Sequence, residues 1–409
     1  MNLQTSQIWD VKYERRLLVL LALGFGLVFM DRYIVFPLYP VLMKDLGLNY
    51  ADIGFITGAL SLACGLSSIF MGHMSDRVGY RKVIIPALLA FSLIAGFSGL
   101  ATGLLSLVVI RAMVGVADGA YMPSSIAATI GASEPRRHGL NSGLQQLPGP
   151  LLGLGLMPII VTQLLAYFSW HVLFSIVVLP GLIVTFILFK ILRNFPQGSG
   201  SKQHVVKHHW REVLGYKNVR LSVVGQLCWL SSLTLFAMMM PNYLMSHMHL
   251  EVQQMGFIMS SIGFGGTAGA ICLSALSDKI GRRPTILLAI AGAALFVLLL
   301  ANEGPHPIIL FLYLSVIMFC LTGMIVMTIG VLATESVPSG LAATASGLVA
   351  GVGDMFGGGV SPIIIGLSVQ HFGIGHFIYF CFVPLLIGLL IALNLKETLP
   401  TKTNLNRYA

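Results

Sequence analysis

Charge is what this sequence has least of. Its 409 residues include 15 acidic and 24 Lys and Arg side chains, 10% in all, where a water-soluble domain carries about 25%. That scarcity excludes an ordinary soluble surface. Period-two alternation of apolar and polar residues is also missing, which excludes a lumen-lined β-barrel. Cysteine is sparse, and Cys64, Cys228, Cys272, Cys320 and Cys381 all fall in apolar stretches without paired spacing. They read as packing residues, not as a disulfide framework or metal site. No nucleophile–base set, metal-ligand cluster or nucleotide loop can be traced, so neither enzyme chemistry nor a bound cofactor is expected. His204, His208 and His209 lack a flanking second ligand group and read as part of a basic, membrane-apposed loop.

What the sequence does have is long apolar runs. Residues 17–30, 83–100 and 173–189 approach or reach the ~20 residues that cross ~30 Å of hydrocarbon as a helix. Backbone groups there must be satisfied internally, which predicts helices. Twelve are expected, near 17–42, 50–71, 83–104, 106–131, 140–165, 171–193, 219–244, 252–274, 285–301, 307–332, 341–367 and 374–395. With both termini on one side, every Lys and Arg falls on that side except Lys44 in an opposite loop and Arg32 and Arg111 within the membrane. The positive-inside rule then puts both termini in the cytoplasm of a bacterial inner (plasma) membrane. This placement assigns the net charge of +9 to topology, and no nucleic-acid partner is expected. The first helix follows a polar, cationic segment without a small-residue cleavage site and reads as retained.

The chain repeats itself. "SGLQQLPGPLLGLGLMPII" (142–160) recurs as "SGLVAGVGDMFGGGVSPII" (346–364), and "GHMSDRVGYRK" (72–82) recurs as "SALSDKIGRRP" (274–284). An offset near half the chain length implies a duplicated six-helix unit, with a solute site between the halves near the midplane. The expected domains are 1–193, a cytoplasmic linker at 194–218, and 219–409. The expected class is an all-α membrane protein of two pseudo-symmetric six-helix bundles.

Ionisable residues inside the membrane cost ~2.5–3.5 kcal/mol each near a helix centre and mark function by default. Asp31 and Arg32 lie well inside the first helix. In the fourth, Arg111 and Asp118 are seven residues apart, close to two turns, and so share a face. An Arg neighbour favours an ionised carboxylate and desolvation a neutral one, a competition that can poise an acid for protonation. A guanidinium freed from such an acid can hold a substrate carboxylate at two points. A clamp holding the first and fourth helices together is the structural alternative. The second half has Leu233, Tyr313 and Cys320 at the corresponding positions. Its one deep charge is Asp354 in the eleventh helix, a second proton or substrate contact or a bond to glycine-exposed backbone. Tyr33, Tyr39, Tyr121, Gln145 and Gln146 are candidates for neutral hydrogen bonds to substrate.

The 72–82 loop resembles the signature between helices 2 and 3 of the major facilitator superfamily. Gly72, Asp76, Arg77, Gly79, Arg81 and Lys82 match it, and Asp278, Gly281, Arg282 and Arg283 belong to a degenerate second copy with Ser274 in place of the first Gly. The resemblance implies a gating latch at this loop. Arg32 beside Asp31, and Arg111 seven residues before Asp118, look like the anion:cation symporters within that superfamily. That likeness implies proton coupling at Asp31 and Asp118, with Asp354 as a further candidate. It implies substrate anion binding at Arg32 and Arg111. Asp118 stands where Glu is usual, which shortens its reach. Spinster-type lysolipid transporters share the constellation, and Gly149, Pro150 and Gly153 partly match a proton-coupled drug-antiporter signature. The expected function is therefore proton-coupled symport of a small organic anion, a carboxylate or sugar acid, by a monomer in the lipid bilayer. Proton-coupled export of drugs or amphipathic compounds such as lysolipids is the alternative.

Overall fold

The computed structural model describes residues 10–193, 210–338 and 341–399. The side chains of Gly72, His73, Asp76, Pro135 and Ala343 lie outside the described residues, as do His204, His208, His209 and most of the expected linker. Twelve helices are long and apolar enough to span a bilayer. They are α1 (Val11–Leu46), α2 (Tyr50–Val78), α3 (Tyr80–Leu100), α4 (Leu104–Ala132), α5 (His138–Leu164) and α6 (Trp170–Ile191). The second half supplies α7 (Lys217–His247), α8 (Val252–Ile280), α9 (Arg282–Ala301), α10 (Pro307–Glu335), α11 (Thr344–Phe372) and α12 (Ile374–Asn394).

Several helices overrun the apolar stretches that reveal them. At 36 residues, α1 exceeds the span of a bilayer core, so it tilts or projects beyond it. Its polar first turn is kept helical by Asp10, whose carboxylate accepts the Tyr13 amide at 3.0 Å, and Gly47 ends it in the left-handed region at φ 63°. A reciprocal Asn49–Asp52 capping box starts α2. The linker end is helical over Trp210–Val213.

The two signature loops share a backbone. Gly79 and Gly281 hold φ of 95° and 107°, a region where a side chain is strained, and each amide donates to the carbonyl four residues earlier. The next-but-one arginines then cap matching helix ends, where unsatisfied carbonyls favour a cation. Arg81 donates to the Phe189 carbonyl of α6 at 2.7 Å, and Arg283 to the Leu393 carbonyl of α12 at 2.8 Å.

The other repeated segment forms matching π-helical turns, Leu151–Leu156 in α5 and Asp354–Val360 in α11. Glycine-rich faces here let backbones meet across the halves. Gly256 and Gly263 of α8 lie against Pro158 and Gly155 of α5, while Gly54 and Gly58 of α2 lie against Pro362 and Gly359 of α11. Tyr50 also donates its amide to Gln370 at 3.1 Å. These contacts occupy the parts of each helix remote from the chain termini. One apolar core joins the halves at that far end and continues through the second half. The terminal end of the first half has a core of its own, and a smaller cluster lies around Val213, Leu341 and Val349 of the second. The halves are clasped at the far end and part toward the termini.

Candidate functional site

Arg111 is fully buried. Its guanidinium donates to the Asp31 carboxylate at 3.4 Å, to the Asp31 carbonyl at 3.1 Å and to Ser98 of α3 at 2.9 Å, and lies 5.1 Å from the centre of the Phe174 ring in α6. It is thus enclosed among α1, α3, α4 and α6 of the first half. Arg32, one residue after Asp31, takes a different direction. It is partly exposed and donates to Ser61 of α2 at 3.1 Å and to the Cys64 sulfur at 4.0 Å. No carboxylate among the described residues pairs with it directly, although the charges of Asp118 and Asp354 act on it.

The two helical arginines therefore do not share one pocket. Arg32 lies where the halves meet, since Ser61 also packs beside Gly358 of α11, and Gly65 of α2 beside Met355. Asp354 opens the π-helical turn of α11, is exposed to the space between the halves, and is within electrostatic reach of Arg32. Tyr33 stands beside this group, its ring centre 5.9 Å from the Arg32 guanidinium carbon. It belongs to a ladder of rings along α1, from Phe25 through Phe29, Tyr33 and Phe36 to Tyr39, with successive centroids 5.0 to 5.8 Å apart.

Asp118 is fully buried, and neither carboxylate oxygen has a hydrogen-bond partner among the described residues. The other neutral candidates sit elsewhere. Tyr121 is buried against Gly24 and donates to the Leu21 carbonyl at 3.1 Å, tying α4 to α1. Gln145 is buried within the first half, donating to Ser125 at 3.0 Å, and Gln146 is exposed and bonds back to Ser142 of its own helix. Tyr39 bonds Thr57 at 2.5 Å. Sequence spacing gave no hint of Ser61 and Cys64, which are ordinary small residues on α2.

In the second signature loop Arg282 is buried, pairs with Glu335 of α10 at 2.9 Å and also contacts Asp278. Glu397 accepts the amides of Arg282 at 2.8 Å and Arg283 at 3.0 Å, closing α12 onto the start of α9. Partial burial pushes the Glu397 carboxyl up, but the amides of Leu399, Arg282, Arg283 and Thr398 together hold it below its ordinary value. In the first signature loop Arg77 is exposed and Arg81 half-buried, its guanidinium carbon 5.4 Å from the Phe189 ring centre, and the Asp76 side chain lies outside the described residues.

The profile of the Major Facilitator Superfamily matches residues 21–362, with a second match at 232–408. The chain belongs to that superfamily. Among its relatives, a probable 4-methylmuconolactone transporter of Cupriavidus pinatubonensis is 25% identical over 397 residues, covering 92% of this chain and 89% of that one. A probable sulfoacetate transporter of Cupriavidus necator is 22% identical over 391 residues, covering 89% of each chain. A bacterial homologue of the human lysosomal transporter Spinster, solved inward-facing and occupied, superposes with a TM-score of 0.80 at 16% identity over 93% of this chain and 96% of that one. The twelve-helix major facilitator fold is thus shared with transporters of different solutes, and the fold by itself does not name a substrate.

Proposed function

We propose that this chain is a proton-coupled symporter of a small organic anion, working by alternating access. The observation that carries the reading is Arg32: a guanidinium between the halves, bonded to Ser61, directly paired with no carboxylate among the described residues, and subject to the charges of Asp118 and Asp354. A substrate carboxylate fits the open side of that fork, with Tyr33 offering its ring and hydroxyl. The names of two relatives, transporters for a muconolactone and for sulfoacetate, support an acidic substrate. Protonation of Asp118 or Asp354 would leave Arg32 with more positive charge to offer the anion. Arg111 then serves as the buried partner that sets Asp31, at one remove from the substrate.

The charge asymmetry of the loops supports a topology with the termini and the 194–218 linker, between bundles 1–193 and 219–409, on the cytoplasmic side of a bacterial inner membrane. On that topology the structure is closed outward and open inward. A single copy holds the whole site, so a monomer in the bilayer suffices.

Arg32, Tyr33, Ser61 and Asp354 are few polar groups for a polyhydroxylated ligand. The site suits a carboxylate with few hydroxyls and a planar body that can lie against the partly exposed rings of Phe29 and Tyr33. Purified protein should bind benzoate at least tenfold more tightly than gluconate, and Arg32→Lys should lose most of that affinity while melting normally. Uptake into proteoliposomes under an imposed proton gradient, screened across carboxylates, tests the whole reading. Gradient-driven uptake of no carboxylate, or unchanged affinity in Arg32→Lys, would sink it.

A further inference from the structure

Asp118 poses a problem of access. Although the halves part toward the termini, its carboxylate is fully buried and does not open onto the space between them. A proton bound there needs another way out.

The interior of the first half supplies polar groups in the right direction. On α4, Asp118, Ser125 and Thr129 follow spacings of seven and four, which form one stripe leading toward the terminal end, and Ser133, the residue that caps the helix, follows at its end. All four side chains are buried. Gln145 of α5 donates to Ser125 at 3.0 Å, and Asn141 of α5 donates to Ser133 at 2.8 Å and to Glu14 of α1 at 2.6 Å. Glu14 is itself buried and pairs with Arg137 at 2.9 Å, next to Glu134 and the exposed end of the bundle.

The hydrogen-bond accounts along this stripe are open. Both Asp118 oxygens, the Ser124 and Thr129 hydroxyls and the Gln145 carbonyl oxygen have no partner among the described residues. Buried polar atoms in that condition are uncommon and call for water. Residues four apart on a helix are separated by about 6 Å along its axis, a gap that one water molecule bridges, while the seven-residue step from Asp118 to Ser125 spans about 10.5 Å and takes a chain of two or three. Apolar side chains would pack α4 on α5 with less cost, so a purely structural role leaves these unpaired atoms unexplained.

We propose that this polar stripe, from Asp118 by way of Ser125, Gln145, Thr129, Ser133 and Asn141 to Glu14, conducts protons between the centre of the first half and the terminal end. The inference rests on Asp118 as a proton site. The carboxylic acid of Asp118 gives its proton to water and becomes a carboxylate. Hydroxyls and bridging waters each accept one proton and pass one on. The Asn141 amide, which donates to both Ser133 and Glu14, relays none but holds the two together. A water between them hands the proton to the Glu14 carboxylate, which then releases it. Gln145 orients the water through its free carbonyl oxygen. The charged groups facing the inner end are Arg32, Asp31 and Arg111. Those at the outer end are Arg137 and Glu134, with His138 bonded to the Ser133 carbonyl at 3.0 Å.

Time-resolved infrared spectroscopy after a pH jump, on the full chain in nanodiscs, tests the path without any substrate. The carbonyl band lost in Asp118→Asn identifies the protonated acid. Thr129→Val, nearly isosteric, and Gln145→Leu should each slow the relaxation of that band at least tenfold while leaving its amplitude unchanged, and Gln145→Glu should restore the rate. Wild-type relaxation in a folded Thr129→Val protein and in Gln145→Leu overturns the path while leaving Asp118 as proton site. If Asp118→Asn removes no band, the proton site itself is wrong and the path falls with it.

Discussion

Arg111 holds Asp31 by two separate atoms, its carboxylate at 3.4 Å and its main-chain carbonyl at 3.1 Å. The second contact ties the arginine to the α1 backbone whatever the charge on Asp31. Removing one partner of a buried pair strands the other and costs ~3–5 kcal/mol. Asp31→Asn leaves the carbonyl contact and an amide acceptor, so its loss should fall at or below the low end of that range. Arg111→Ala abandons a buried carboxylate and should be the more destabilising. The double variant Asp31→Asn/Arg111→Gln should recover stability relative to Arg111→Ala. Thermal melts of the three in one detergent check the order; equal melting points would show that the pair does not bear on folding.

Glu397 offers a pH-dependent contact outside the membrane. Its carboxyl titrates below the ordinary value of 4.5 because the folded state bonds the ionised form. A depressed folded value means that the stabilisation is fully present above 4.5 and is lost as pH falls through the lowered value. Glu397 is exposed, so the contribution is under about 1 kcal/mol. Glu397→Gln should melt slightly lower than wild type at pH 7, and the difference should shrink as the pH is taken down below 4.5. A difference that does not change however far the pH is lowered in the folded protein would assign the effect to packing instead of charge.

The far-end clasp depends on glycine at close approach. A methyl group on Gly54 would meet the Pro362 carbonyl, and one on Gly256 would meet Thr162. Neither glycine has a positive φ, so a substitution is tolerated once the halves separate there. Gly54→Val and Gly256→Val should therefore favour the state open at the far end. A cysteine placed at Tyr50 in these backgrounds should react several-fold faster with a membrane-impermeant maleimide added outside. An unchanged rate would mean that the helices shift to absorb the methyls.

The twelve helices were legible because hydrocarbon imposes a long apolar run on each, and the duplication because its glycines recur at a fixed offset. Asp31, Arg32, Arg111 and Asp118 were legible because charge in a membrane helix is costly. Their partners were not. Spacing puts Arg111 and Asp118 on one face of α4, but which helices close over that face is a tertiary matter, and Ser98 and Phe174 enclose Arg111 there. Tyr121 and Gln145 are suitable hydrogen-bonding types for a substrate, yet Tyr121 meets the α1 backbone and Gln145 meets Ser125. The π-helical turns left only a trace, the glycine spacing shared by α5 and α11, and that spacing alone reads as close helix packing. Glu14 falls just before the apolar run of α1 and reads as a cytoplasmic flank until Arg137 and Asn141 close over it.

The coupling reading turns on Asp118. Its buried carboxylate has no hydrogen-bond partner among the described residues, and its charge acts on Arg32. Ionised, it opposes an incoming anion at Arg32; neutral, it does not. Asp118→Asn fixes the neutral condition. In a symporter of an anion, the variant should keep substrate binding and counterflow exchange within about threefold of wild type, because Arg32 stays free. It should lose proton-driven accumulation, because no proton travels with the substrate. An antiporter behaves in the opposite way, since its cationic or neutral substrate competes with the proton for the ionised acid, and there the variant should lose binding itself. Parallel assays of binding, exchange and gradient-driven uptake in reconstituted Asp118→Asn separate the two. Full proton-driven accumulation in that variant would move the coupling site to Asp354, the other acid whose charge reaches Arg32, and Asp354→Asn would then show the uncoupled pattern.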